Sequence, residues 1–135
     1  MHSFTHVLVV LLFFGVSSTP SAQTFQGEIS DSQCALNVHS RDSSHKDMIE
    51  TNIMGSTSEE CARTCVRRNG GKFVLLDKVH GRVYRVDPQT NAEKFAGKEV
   101  VVRGTYDKDA DLLRAVEIKT RDQMPGVGPL PKGSK

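Results

Sequence analysis

Three cysteines, Cys34, Cys61 and Cys65, together with His39, are the side chains of this chain with the strongest claim to chemistry. Cys61 and Cys65 are spaced i, i+4, so a helix would carry both sulfurs on one face, about 6 Å apart along its axis. Three thiolates and an imidazole make a tetrahedral Cys₃His set suited to Zn²⁺, whereas soft thiolates alone suit Cu(I). In that reading Cys34, Cys61 and Cys65 are ligands and His39 is the fourth. The same sulfurs also allow three single disulfides, Cys34–Cys61, Cys34–Cys65 or Cys61–Cys65, each leaving one thiol over. A bridge within the helix is strained, because the two side-chain vectors run parallel. A bridge from Cys34 to either helical cysteine closes a loop worth on the order of 3–4 kcal/mol in the chain-entropy model. Spacing alone leaves the bridge and the metal site both open. A thiol enzyme would make Cys34 a nucleophile and His39 or His45 its base. Nothing marks a third orienting group or an oxyanion hole, and no C-x-x-C motif is present, so a non-enzymatic protein is expected.

The cysteines need elements to hold them. Thr57-Ser58-Glu59-Glu60 is a capping-box pattern and Asn69-Gly70-Gly71 a C-terminal stop, which predicts a helix over residues 58–68. On it Cys61, Ala62, Cys65 and Val66 share a face. Arg67 and Arg68 near its end, with Lys72, are cations that a helix C-terminus attracts for dipole reasons alone. Around this helix the apolar pattern has a period of two. Residues 24–30 place Phe25, Gly27 and Ile29 on one face. Residues 72–77 are nearly continuously apolar, 82–86 return after a turn at 78–81, and Asp87-Pro88 stops them. Residues 98–106 put Val100 and Val102 inward, and 112–120 put Val116 and Ile118 inward. Asp107-x-Asp109-x-Asp111 mimics the start of a calcium loop, but Leu112 and Ile118 stand where such a loop needs Gly and Glu; it reads as a polar hairpin turn. Five strands predict a mainly β fold, a small closed or nearly closed antiparallel barrel with one inserted helix.

Both ends fall outside that unit. Met1 to Gly27 contain no Asp, Glu, Lys or Arg, and residues 7–16 read VLVVLLFFGV. As a helix that run spans about 15 Å, half a bilayer core, which suits a secretory leader and not a membrane span. Small residues follow, and cleavage after Ala22 is expected. Residues 1–22 are thus a signal peptide, 23–121 the folded domain, and 122–135, rich in Pro and Gly, a disordered tail. The implied location is periplasmic or secreted, an oxidising setting that favours a disulfide. A net charge of +2 in 135 residues excludes a strongly basic nucleic-acid binder. The five aromatics of the mature chain (Phe25, Phe73, Tyr84, Phe95 and Tyr106) fit a core better than a base-stacking platform.

Two stretches resemble known proteins. Phe95-x-Gly97-Lys98-x-Val100-x-Val102-x-Gly104 followed by Val116-x-Ile118 looks like the last two strands of small OB-type barrels in exported bacterial proteins. Gly27-x-Ile29-x-Asp31-Ser32-x-Cys34, then His39, Cys61-x-x-x-Cys65 and Gly71-x-Phe73-Val74-Leu75, is similar to a family of small secreted bacterial proteins, frequent in acidobacteria, that form a domain of unknown function. This chain has Ala35 where members often have Gly after the first cysteine, and its loop from His39 to Ile53 is longer. The resemblance implies an OB-like barrel and an exported location and brings no reaction. The expected role is a binding or structural module of the cell envelope for an unknown protein or small ligand, its helix stapled by a cysteine bridge. The alternative is a zinc- or copper-binding protein using the three cysteines and His39; otherwise no cofactor is expected.

Overall fold

The computed structural model describes residues 21–36 and 54–124. Five strands, β1 (Gln23–Asp31), β2 (Phe73–Asp77), β3 (Arg82–Asp87), β4 (Glu99–Asp107) and β5 (Leu112–Thr120), form a sheet that closes in a ring in the order β1-β2-β3-β5-β4. Among the described residues three α-helical segments accompany them: α1 (Ser32–Ala35), α2 (Ser58–Asn69) and α3 (Gln89–Glu93). A single 3₁₀ turn, Arg121–Gln123, follows β5. The strands and the long helix lie within a residue or so of where the sequence pattern puts them. The signal peptide, His39, His45 and the tail beyond Met124 lie outside the described residues.

Two features of the expected barrel need correction. The ring is not wholly antiparallel, because β3 and β5 pair in parallel through Arg85↔Leu112, Val86↔Leu113 and Asp87↔Arg114. Parity requires this: neighbours around a ring of five cannot all alternate in direction, so at least one pair must run parallel. The helix is also not alone. Asp31 ends β1 and caps α1, and Pro88 begins α3, whose buried Ala92 fills the core. Segments of four or five residues are too short to show helical periodicity, so the sequence pattern passes over them.

Ile29, Leu75, Tyr84, Val86, Val100, Val102 and Leu113 form the interior, with Ala62 of α2 and Ala92 of α3 packed into it. Phe25, Phe95 and Tyr106 pack against that cluster, so the aromatics belong to the core as the sequence suggests. Val116 does not: it is 64% exposed. The register shifts there, Arg103 facing Glu117 and Gly104 facing Ala115, which leaves Val116 as the extra residue of a bulge. A bulge resets the inside–outside alternation, so Leu113, Ala115 and Ile118 turn to the core instead.

The placement of α2 matters most. β1 changes partner along its length, lying against β4 from Gln23 to Glu28 and against β2 from Glu28 to Asp31. Gly97, just before β4, donates its N–H to Ile29 O at 2.7 Å. It has φ +70°, and a Cβ there would collide with the backbone of Ser58 and Glu59. This glycine therefore lets the first turn of α2 rest directly on backbone that is bonded to β1. Thr57 accepts from Glu60 N at 3.1 Å, and Glu60 reaches back to Ser56 N and Oγ, both at 2.8 Å. Gly70, in the left-handed conformation, ends the helix.

Candidate metal centre

The cysteines meet where β1 runs out. Asp31 is fully buried, and its Oδ1 accepts from Gln33 N at 3.0 Å and Cys34 N at 2.9 Å, turning the chain into α1. Ser32 ties that turn to the start of β2, donating its N–H to Lys72 O at 2.8 Å and accepting from Lys72 N at 3.0 Å. The Gln33 side-chain amide donates to Asn69 O at the end of α2. Cys34 is thereby held, half-buried, opposite the face of α2 that carries the fully buried Cys61 and Cys65. Its Sγ stands 3.8 Å from Cys61 Sγ and 3.8 Å from Cys65 Sγ. A ligand oxygen of Asp31 completes the group, and the four donor atoms lie within 4.8 Å of one another.

The bridge expected between β1 and α2 is not formed. A disulfide needs sulfurs about 2.05 Å apart, and all three cysteines are free. Of the sequence-derived ligand set the fold brings Cys34, Cys61 and Cys65 together. Asp31 is the candidate ligand that the sequence reading missed. It was visible in the Asp31-Ser32-x-Cys34 run, whose spacing lets one carboxylate cap the turn that carries the cysteine.

The polarity left unsatisfied is concentrated here. Among the described residues, four buried side-chain atoms have no hydrogen-bond partner: Glu28 Oε1, Ser30 Oγ, Asp31 Oδ2 and Gln33 Oε1. All four come from the end of β1 and the start of α1. A buried oxygen without a partner costs roughly 1–3 kcal/mol, and Asp31 Oδ2 is such an oxygen on the carboxylate that groups with the three sulfurs. The sulfurs feel the same field. Burial pushes the Cys34 thiol far up, and the neighbouring Asp31 carboxylate adds to the shift. Burial likewise raises Cys61 and, with the Asp31 charge, takes Cys65 up to about 12. In the absence of a cation these thiols keep their protons.

A separate cavity of about 450 Å³ opens between the first half of β1 and the β2–β3 turn, lined by Phe25, Gln26, Tyr84 and His80 among others. Asp77 fixes the His80 ring there through Nδ1 at 2.6 Å. None of the cysteines lines it. Asp107 Oδ1 accepts from Asp109 N and Ala110 N, so the acidic run is the hairpin turn anticipated from sequence. Among the described residues no helix is long and apolar enough to cross a membrane. Compared with protein-family models, curated proteins and solved structures, the chain matches none of them.

Proposed function

We propose that this is an exported, non-enzymatic metalloprotein in which Asp31, Cys34, Cys61 and Cys65 hold one Zn²⁺ that fastens α2 to an OB-like barrel. The observation that carries this is the pair of 3.8 Å sulfur separations around Cys34. In a tetrahedron built on Zn–S bonds of about 2.3 Å, two ligand sulfurs stand about 3.8 Å apart. The unpartnered Asp31 Oδ2 supports a fourth, oxygen donor, and an oxygen donor favours Zn²⁺ over Cu(I). Four protein donors in a buried site leave no open position for a substrate, the pattern of structural rather than catalytic zinc. Export is supported by the uncharged leader, and membership of the secreted bacterial family by the Asp31-Ser32-x-Cys34 and Cys61-x-x-x-Cys65 spacings.

The test is metal content. Reduced protein should take up one Zn²⁺ per chain. Cobalt in its place should show thiolate-to-metal charge transfer and the intense visible bands of a tetrahedral centre. Reduced, folded protein that binds neither ion overturns the proposal.

A second reading, a small-ligand module, is favoured by the cavity at His80, whose ring is held with Nε2 left over from the Asp77 contact. Acetate, benzoate and N-acetylglucosamine titrated against the His80 ring resonances test it. A saturable shift with any of them supports the reading, and none with all three overturns it.

A further inference from the structure

We propose that Cys34 is an oxidation site: a hydroperoxide attacks its sulfur, and the disulfide it then forms with Cys61 or Cys65 expels the metal. This rests on the zinc reading above and adds to it how the site is emptied.

Placement in the cluster selects the first sulfur. Cys61 and Cys65 are fully buried under β1 and α1, whereas Cys34 is half-buried on a helix of four residues whose next residue, Leu36, is 60% exposed. All four donors of the cluster are buried, and Cys34 is the sulfur carried by this outer turn. Geometry selects the partners, because Cys34 Sγ is the same 3.8 Å from both helical sulfurs. Neither needs a change of fold to be reached. The sulfurs close from 3.8 Å to a bond of about 2.05 Å, and a short helix at a chain turn can absorb that displacement.

The chemistry balances. The Cys34 thiolate attacks one peroxide oxygen and the O–O bond breaks, leaving a sulfenic acid on Cys34 and a hydroxide that takes up a proton to become water. The thiolate of Cys61 or Cys65 then attacks Cys34 Sγ; the S–O bond breaks and a second hydroxide leaves, again protonated to water. Two thiolates have lost two electrons and the peroxide has gained them. Of the four ligands only Asp31 and one cysteine remain, too few for a tetrahedral site, and the ion leaves. The bridge anticipated from sequence and the metal centre then become two states of one cluster.

Zinc-loaded protein treated with hydrogen peroxide, with a chelating dye reporting released metal, tests this. Arg63 lies between the two helical cysteines, so trypsin puts Cys61 and Cys65 in different peptides. Zinc should be released in step with the loss of two hydrogens from the intact mass. Cys34 should appear cross-linked to the Cys61 peptide and to the Cys65 peptide in comparable amounts. Cys61→Ser and Cys65→Ser should each still bridge Cys34 to the remaining partner; should a variant not fold, the wild-type peptide map decides alone. A Cys61–Cys65 cross-link as the main product, or zinc retained while Cys34 is oxidised, overturns the proposal. Failure of the reduced chain to bind zinc shows before any peroxide is added, and it removes the metal reading itself.

Discussion

Asp31 uses its two oxygens differently, and a substitution can separate them. Oδ1 caps α1 through two backbone N–H groups, while buried Oδ2 has no partner among the described residues. Asparagine caps a helix as well as aspartate does but brings no negative charge to a cation. Asp31→Asn should lower zinc affinity at least tenfold, about 1.4 kcal/mol, while leaving metal-free stability nearly unchanged. Competition against a chelator and a metal-free melt measure the two quantities independently. Glu60 makes a prediction about acid. Hydrogen bonds from the Ser56 hydroxyl and then from its backbone N–H hold this exposed carboxyl below its ordinary value of 4.5. A depressed carboxyl contributes stability above its unfolded value, and that contribution fades as pH falls through the lower folded value. The backbone resonances of Ser56 and Thr57 should therefore shift together with the Glu60 carboxyl, with a midpoint below 4.5. Titration at or above that value contradicts the assignment.

At the scale of the element, α2 is the part whose position decides whether there is a site. Its ends are set locally, by Thr57 at the start and Gly70 at the finish. Its seat is set from far along the chain by Gly97, whose lack of a side chain admits the backbone of Ser58 and Glu59. Two substitutions tell seat from cap. Thr57→Ala removes one hydrogen bond and should cost about 1 kcal/mol with little effect on metal binding. Gly97→Ala combines a left-handed backbone with a clash against the helix and should cost about 2–4 kcal/mol. Because it lifts α2 from β1, it should also weaken zinc binding. Denaturant melts with and without the metal measure both effects, and equal zinc affinity in the two variants would contradict this account of how α2 is seated.

For the whole molecule, the sheet closes on itself without help from the cysteines, whereas the proposed metal link would join α2 and α1 to the end of β1 through them. At free zinc a thousandfold above its dissociation constant the ion should add about 4 kcal/mol, or roughly 15–30 °C of melting temperature for a domain of this size. Removing it with a chelator should reverse that gain and raise amide exchange first in α2, with the β2 and β4 amides still protected; an unchanged melt would show that the centre carries no stability. Much of this architecture was legible in the chain. Alternation in β1, β3 and β4 and the continuous apolar run of β2 mark strands because their side chains face the core, and Thr57 and Gly70 mark a helix because its ends need local partners. Those signals act over a few residues, so the sequence by itself determined them. The parallel β3–β5 pair, the bulge that turns Val116 outward and the meeting of Asp31 and Cys34 with α2 were decided only by the tertiary structure. Each depends on ring closure or on packing between segments distant in sequence, and no local periodicity records such a constraint.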